Sequence, residues 1–324
     1  MKRVAIIDDW GGLASGTAAW ERLTGRVDAQ AFRDTLADEE ALARRLQPFE
    51  IVVGVRERTR FTAGLLARLP RLELIALGGG MTGQVDMAAA TARGIVVTDS
   101  SGSGAAAIEH TIGMIMAVVR RIPQEDRALR AGRWQTALGI ELAGKTMGVI
   151  GLGKIGSKIA AFARLLDMRV LACGLTLTPE RATAAGATMV PLDTLLRDSD
   201  VVSVNLRLSD KTRGFLGARH LALMKPTAFL INSARGPIVD EAALVAALRE
   251  RRIAGAALDV YDQEPLPAGH PLLALDNAVL TPHSGFVTAE TYAGFFGGAV
   301  DQILAWLDGK TPPRALNPDA RRAR

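Results

Sequence analysis

The chain has 324 residues, 48% of them hydrophobic and 23% charged, with a net charge of +5. That length suits two domains, and the balance excludes a disordered chain. The single cysteine, Cys173, excludes an intramolecular disulfide and a zinc cluster, so no metal is expected, and scattered positive charge outside the tail "ARRAR" argues against nucleic-acid binding.

The opening "MKRVAIIDDWGG" turns acidic directly after its apolar run and reads as a first strand, not a secretory signal. No run approaches 18 uninterrupted apolar residues, so no membrane partner is expected and the cytosol is the expected compartment. Buried strands are predicted at 3–8, 51–55, 72–77 and 94–99. Between them lie helical patterns such as "ADEEALARRLQ", acidic at its start and basic at its end, as the helix dipole favours. Alternating strand and helix implies a parallel sheet covered on both faces.

Residues 105–131 hold a helical pattern throughout, with Pro123 placed to kink or divide it. Such a helix suits a domain crossing or burial by a second subunit. A second α/β series follows, with strands expected in "TMGVI", "MRVLACG", "DVVSVNL", "AFLINSARG", "AGAALDV" and "AVLTPHSG". The last helix, 289–307, and the tail are expected to rejoin the N-terminal unit.

Within this series "VIGLGKIG" spaces Gly151, Gly153 and Gly156 as G-x-G-x-x-G between a strand and a helix, the context a dinucleotide site requires. Gly151 permits the tight turn, Gly153 lets the backbone approach a pyrophosphate, and Gly156 lets helix and strand pack closely. The helix N-terminus offers free N–H groups to phosphate. About 20 residues on, an acid usually grips the ribose of NAD. Here that strand ends Cys173-Gly174-Leu175-Thr176, with neither an acid nor an arginine ready for a 2′-phosphate, and Arg181 is expected inside the next helix. Thr176 and Thr178 suit either cofactor; NAD is preferred and NADP is not excluded.

Ligands of doubly wound sheets bind beyond the carboxyl ends of the strands. There the chain places Arg235, Asp259 with Glu264 behind it, and His283, one of four histidines. Reduction of a 2-keto acid needs this set. A histidine supplies the proton, a carboxylate favours and orients its protonated ring, and an arginine binds the substrate carboxylate and polarises the carbonyl. His110 reads as a core or interface ring, and Trp134 as a packing residue ahead of one that reaches a neighbouring active site.

"GLGKIG", "INSARGPIVDEAAL", "ALDVYDQEPLP" and "LTPHSGFVT" stand in the order and spacing of a known family. Over essentially its whole length the chain resembles the D-isomer-specific 2-hydroxyacid dehydrogenases. The resemblance implies an α/β fold of two doubly wound parallel-sheet domains. A Rossmann NAD(P)-binding domain, 102–285, is inserted in a flavodoxin-like substrate domain, 1–101 with 286–324. It implies Arg235, Glu264 and His283 as the catalytic set, and a cofactor set of Gly151, Gly153, Lys154, Ile155, Gly156, Thr176, Ala234 and Asp259, the last holding the nicotinamide amide. Backbone N–H groups of "LGGGMTG", at Gly79, Gly80 and Met81, receive the substrate carboxylate, and Arg56 meets a second anionic group where the substrate has one. The resemblance further implies a small 2-hydroxy or 2-keto acid as substrate and a homodimer paired through the long helix. Arg207 stands where many members carry a proline lining the adenine pocket, and is expected to face solvent or adenine. The rival reading is a nucleotide-sensing binding module, as in the C-terminal-binding corepressors.

Overall fold

The computed structural model describes residues 1–56, 58–79, 83–102 and 104–323. Residues 104–286 form one unit, and the chain before and after them forms the other.

Among the described residues of the outer unit, five parallel strands form one sheet. They are β1 (Lys2–Ile7), β2 (Val27–Ala31), β3 (Ile51–Val55), β4 (Leu74–Gly78) and β5 (Val96–Ser100). Their order, β2-β1-β3-β4-β5, is the flavodoxin-like winding. β3 and β4 are buried along their whole length, so both faces must be apolar and both are covered. One face packs Val52, Ile75, Leu77 and Val97 with Leu46, Leu65 and Leu66. The other receives the helix Ala289–Leu307, where a Cβ on Gly78 would stand 3.2 Å from that of Phe295. The tail is tied to this sheet by Asn317, whose side chain accepts the Val97 N–H and donates to the Ile95 carbonyl. β2 was not anticipated. It is an edge strand with four exposed residues, "DAQA", and so shows none of the apolar alternation that marks a strand.

The inner unit holds seven parallel strands. They are β6 (Thr146–Ile150), β7 (Arg169–Cys173), β8 (Thr188–Met189), β9 (Val201–Val204), β10 (Phe229–Asn232), β11 (Gly255–Leu258) and β12 (Ala278–Leu280). Their order is β12-β11-β10-β9-β6-β7-β8, the doubly wound Rossmann arrangement with its switch point between β6 and β9. Successive strand residues face opposite layers. Val149 and Ile231 join the core with Ile115, Val118 and Ile159, while Ile150 and Leu230 join the one with Leu221, Leu244 and Leu248.

The long helical pattern divides into Ala106–Val119 and Ile122–Arg130. The break falls at Arg121, which takes φ +58°, and Pro123 sits in the first turn of the second helix, where its missing N–H costs nothing. No helix among the described residues is long and apolar enough to cross a membrane.

Candidate active site

The glycine turn lies at the switch point of the inner sheet. Gly151 takes φ +94°, and a Cβ there would stand 2.8 Å from the Asn205 carbonyl oxygen, in the loop that leaves β9. A Cβ on Gly156 would stand 2.1 Å from the Gly151 carbonyl oxygen, a distance no side chain permits. Gly153 caps the helix Lys154–Leu165 without a side-chain hydrogen bond, and nothing lies within 4 Å of where its Cβ would be. A helix N-terminus with its first N–H groups exposed behind an unobstructed glycine fits a dinucleotide pyrophosphate. Ile155 is half-buried. Lys154 is exposed, and a Cβ on Gly104 would stand 2.4 Å from its ammonium.

At the end of β7, Thr176 is exposed and Arg207 is exposed beyond β9. Cys173, the last residue of β7, is buried, and burial pushes its thiol up to about 12. Arg181 falls inside the helix after β7, as expected, and the fold adds a contact back to Thr176. Arg181 lies in the first turns of the helix Pro179–Ala184, and its guanidinium donates to the Thr176 carbonyl at 2.8 Å. Sequence distance hid this, because a capped helix start turns residue 181 back over the strand end, with Thr178 accepting the Arg181 N–H.

The catalytic candidates gather at the carboxyl ends of β10, β11 and β12, three adjacent strands. Glu264 Oε2 lies 2.6 Å from His283 Nδ1, and Oε1 accepts the Tyr261 N–H at 3.0 Å. The imidazole meets Phe286 edge to face, with centroids 5.8 Å apart. His283 takes φ +52°, a left-handed conformation that a side chain rarely adopts. Arg235 follows β10 and donates to the Ala234 carbonyl at 2.6 Å, while Asn232 accepts the Ala234 N–H and donates to the Arg235 carbonyl. The Arg235 turn is pressed onto the β11 loop. A Cβ on Gly236 would stand 2.1 Å from the Tyr261 carbonyl carbon, so only glycine lets the two loops meet.

Asp259 follows β11 directly and is 1% exposed. Its Oδ1 accepts the Thr281 hydroxyl at 2.5 Å and the Ser284 N–H at 2.8 Å, and Oδ2 accepts the Gly285 N–H at 2.9 Å. His110 Nε2 stands 3.2 Å from Oδ1. Burial opposes its ionisation, but the hydrogen bonds from His110, Thr281 and the Ser284 amide outweigh burial and hold the carboxyl below the usual carboxylate range. The phenol of Tyr261 is pushed up, first by burial and then by the charges of Asp259 and Glu264, so it stays a neutral donor toward the Thr281 carbonyl at 2.9 Å.

In the outer unit, Arg56 and Gly79 come together at the ends of β3 and β4. Arg56 takes φ +66° and donates its N–H to the Gly78 carbonyl, and a Cβ on Gly79 would stand 3.1 Å from the Arg56 side chain. Gly80 and Met81 lie outside the described residues.

A glycine turn that fits a dinucleotide, a histidine–carboxylate pair and an arginine on one sheet edge define a nicotinamide-dependent dehydrogenase. Comparison with known proteins agrees. Residues 112–285 match the NAD binding domain of the D-isomer specific 2-hydroxyacid dehydrogenases. The glyoxylate reductase of Aeropyrum pernix is 39% identical over 275 residues, 82% of either chain. The D-3-phosphoglycerate dehydrogenase of Archaeoglobus fulgidus is 41% identical over 281 residues, 86% of this chain and 53% of its own. This chain thus spans about half the length of that phosphoglycerate dehydrogenase. A phosphoglycerate oxidoreductase structure from Vibrio cholerae superposes with a TM-score of 0.91 at 35% identity, covering 95% of this chain and 100% of that one. An oxidoreductase from Ralstonia solanacearum gives 0.94 at 37%, covering 99% and 98%. The chain belongs to the D-isomer specific 2-hydroxyacid dehydrogenase family. It is an NAD-dependent oxidoreductase of 2-hydroxy acids and their 2-keto partners.

Proposed function

We propose that the chain reduces a short 2-keto acid to its D-2-hydroxy acid, with His283 as the acid/base, Glu264 as the group that orients it and Arg235 as the substrate clamp. The observation that carries this reading is the 2.6 Å contact between Glu264 and His283 Nδ1. With Nδ1 held by the carboxylate, Nε2 is the ring atom that exchanges a proton with substrate. Bound NADH supplies the hydride. As charge builds on the carbonyl oxygen, His283 delivers its proton there, and the Glu264 carboxylate stabilises the ring's charged form. Arg235 offers a planar fork of donors to the substrate carboxylate and polarises the carbonyl beside it.

Gly151, Gly153 and Gly156, with the backbone at Lys154 and Ile155, are assigned to the pyrophosphate, and Thr176 and Ala234 to the remainder of the dinucleotide. Asp259 Oδ2 receives the Gly285 N–H and is assigned to the nicotinamide amide. Arg56, with the Gly79, Gly80 and Met81 backbone, is assigned to substrate. We further propose residues 102–285 as the cofactor domain and the rest as the substrate domain, a homodimer, and a cytoplasmic location. The dimer is supported by Ile122, Leu129, Trp134 and Leu138, large apolar side chains that are exposed on and after the helix Ile122–Arg130.

The test follows NADH absorbance with glyoxylate, pyruvate, hydroxypyruvate, phenylpyruvate and phosphohydroxypyruvate, beside His283→Ala. Turnover that disappears in the variant supports the reading; turnover retained in it removes His283 from the chemistry. Preference for phosphohydroxypyruvate over hydroxypyruvate, lost in Arg56→Ala, would assign Arg56 to a second anionic group.

A further inference from the structure

We propose that His110 is a positioning residue for His283, acting through Thr281 and Asp259; this rests on His283 being the acid/base. His110 projects from the helix Ala106–Val119, and its Nε2 lies 3.0 Å from the Thr281 hydroxyl oxygen and 3.2 Å from Asp259 Oδ1. Thr281 gives its single hydroxyl proton to Asp259, at 2.5 Å, so its oxygen accepts from His110. Nε2 therefore carries a proton, shared between the hydroxyl and the carboxylate.

What this network holds is the backbone on either side of His283. The His283 N–H donates to the Thr281 carbonyl at 3.0 Å, and the two following N–H groups, of Ser284 and Gly285, donate to Asp259. A left-handed conformation at a residue with a side chain is strained. It persists where surrounding bonds fix it, and here they fix it from both ends. Glu264 sets the rotation of the ring, while Thr281 and Asp259 set where the ring begins. Gly285 gives an independent sign that these groups converge. A Cβ there would lie 2.9 Å from Asp259 Oδ2 and 3.4 Å from His110 Cδ2.

Packing alone does not account for His110. Its side chain is 22% exposed and lines a cavity of 680 Å³ with Met114, Leu280 and Thr281. Leucine would keep the volume and lose the N–H. Glutamine would place an N–H near the position of Nε2.

The experiment compares His110→Leu and His110→Gln in the full chain, reading kcat, KM for the 2-keto acid, NADH affinity by fluorescence and Tm. His110→Leu is expected to lower kcat roughly 10- to 100-fold, the scale of an ångström-sized misplacement. NADH affinity is expected within about 2-fold of wild type, and His110→Gln to recover most of the loss. Thr281→Val is combined with His110→Leu in a double-mutant cycle, where the losses are expected to overlap rather than multiply. Unchanged kcat in His110→Leu, equal losses in Leu and Gln variants tracking Tm, or multiplicative losses in the cycle each overturn the proposal. His283→Ala in the same assay separates the two levels. If it is inactive while His110→Leu keeps the wild-type kcat, only this inference fails; if it retains turnover, the reading of His283 fails with it.

Discussion

Glu264 Oε2 stands 2.6 Å from His283 Nδ1 while its Oε1 receives the Tyr261 N–H, so the carboxylate is fixed before it touches the ring. Replacing the ring and replacing the carboxylate should therefore have graded effects. His283→Ala is expected to lower kcat by about 10²- to 10⁴-fold, the usual contribution of a positioned acid. Glu264→Gln keeps one acceptor but loses the charge that stabilises the imidazolium, and should cost roughly 10- to 100-fold. Stopped-flow reduction with saturating NADH reads the step directly. A Glu264→Gln enzyme at wild-type rate would remove the carboxylate from the mechanism.

Gly156 makes a different kind of claim, about packing. A Cβ would fall 2.1 Å from the Gly151 carbonyl oxygen. Gly156→Ala must push the helix Lys154–Leu165 off β6 or distort the turn, and overpacking of this kind costs about 1–3 kcal/mol. The same displacement moves the N–H groups assigned to the pyrophosphate. We expect a lower Tm together with weaker NADH binding, measured by thermal unfolding and fluorescence titration. A normal Tm and normal binding would show that the turn yields without cost.

The parts of the fold legible in the sequence are those whose residues state their environment locally. β3 and β4 are unbroken apolar runs, and β6 is one after Thr146, because both faces of these strands are covered. β2 and the two-residue β8 sit at sheet edges with exposed side chains and carry no such mark. Among the proposed site residues, Arg235, Glu264 and His283 stand out in the sequence because reactive residue types follow strand ends. His110 could not. On an apolar helix it resembled a buried ring, and nothing near it in the chain announces Thr281, 171 residues away. Arg181 was hidden similarly, by a helix turn that brings it back to Thr176.

Asp259 should leave a signature in the dependence of stability on pH. Its carboxyl in the folded chain titrates below its unfolded value, which lies near ~3.9. A depressed folded pKa contributes stability above the unfolded pKa, and that contribution is lost as pH falls through the folded value. The wild type should therefore lose Tm on acidification below about pH 4 more steeply than Asp259→Asn, which has no charge there to lose. Thermal melts between about pH 3 and pH 6 give the comparison. Parallel curves for the two proteins would mean that the Asp259 network does not favour the ionised form.

Arg181 bears on the second cofactor. NAD is the family's cofactor, yet at the end of β7 this chain has no carboxylate between Cys173 and Thr178 to repel a 2′-phosphate. A guanidinium stands there, 2.8 Å from the Thr176 carbonyl. An exposed charge of this kind is worth up to about 1 kcal/mol, or roughly 5-fold in affinity. NADPH should then support turnover beside NADH. Arg181→Ala should raise KM for NADPH by about 5-fold and leave KM for NADH unchanged, and Arg181→Glu should widen the gap further. Steady-state kinetics with both cofactors decide it. Equal losses with NADH and NADPH would place Arg181 in the support of the strand end, and no NADPH turnover in the wild type would show that the guanidinium does not compensate the phosphate.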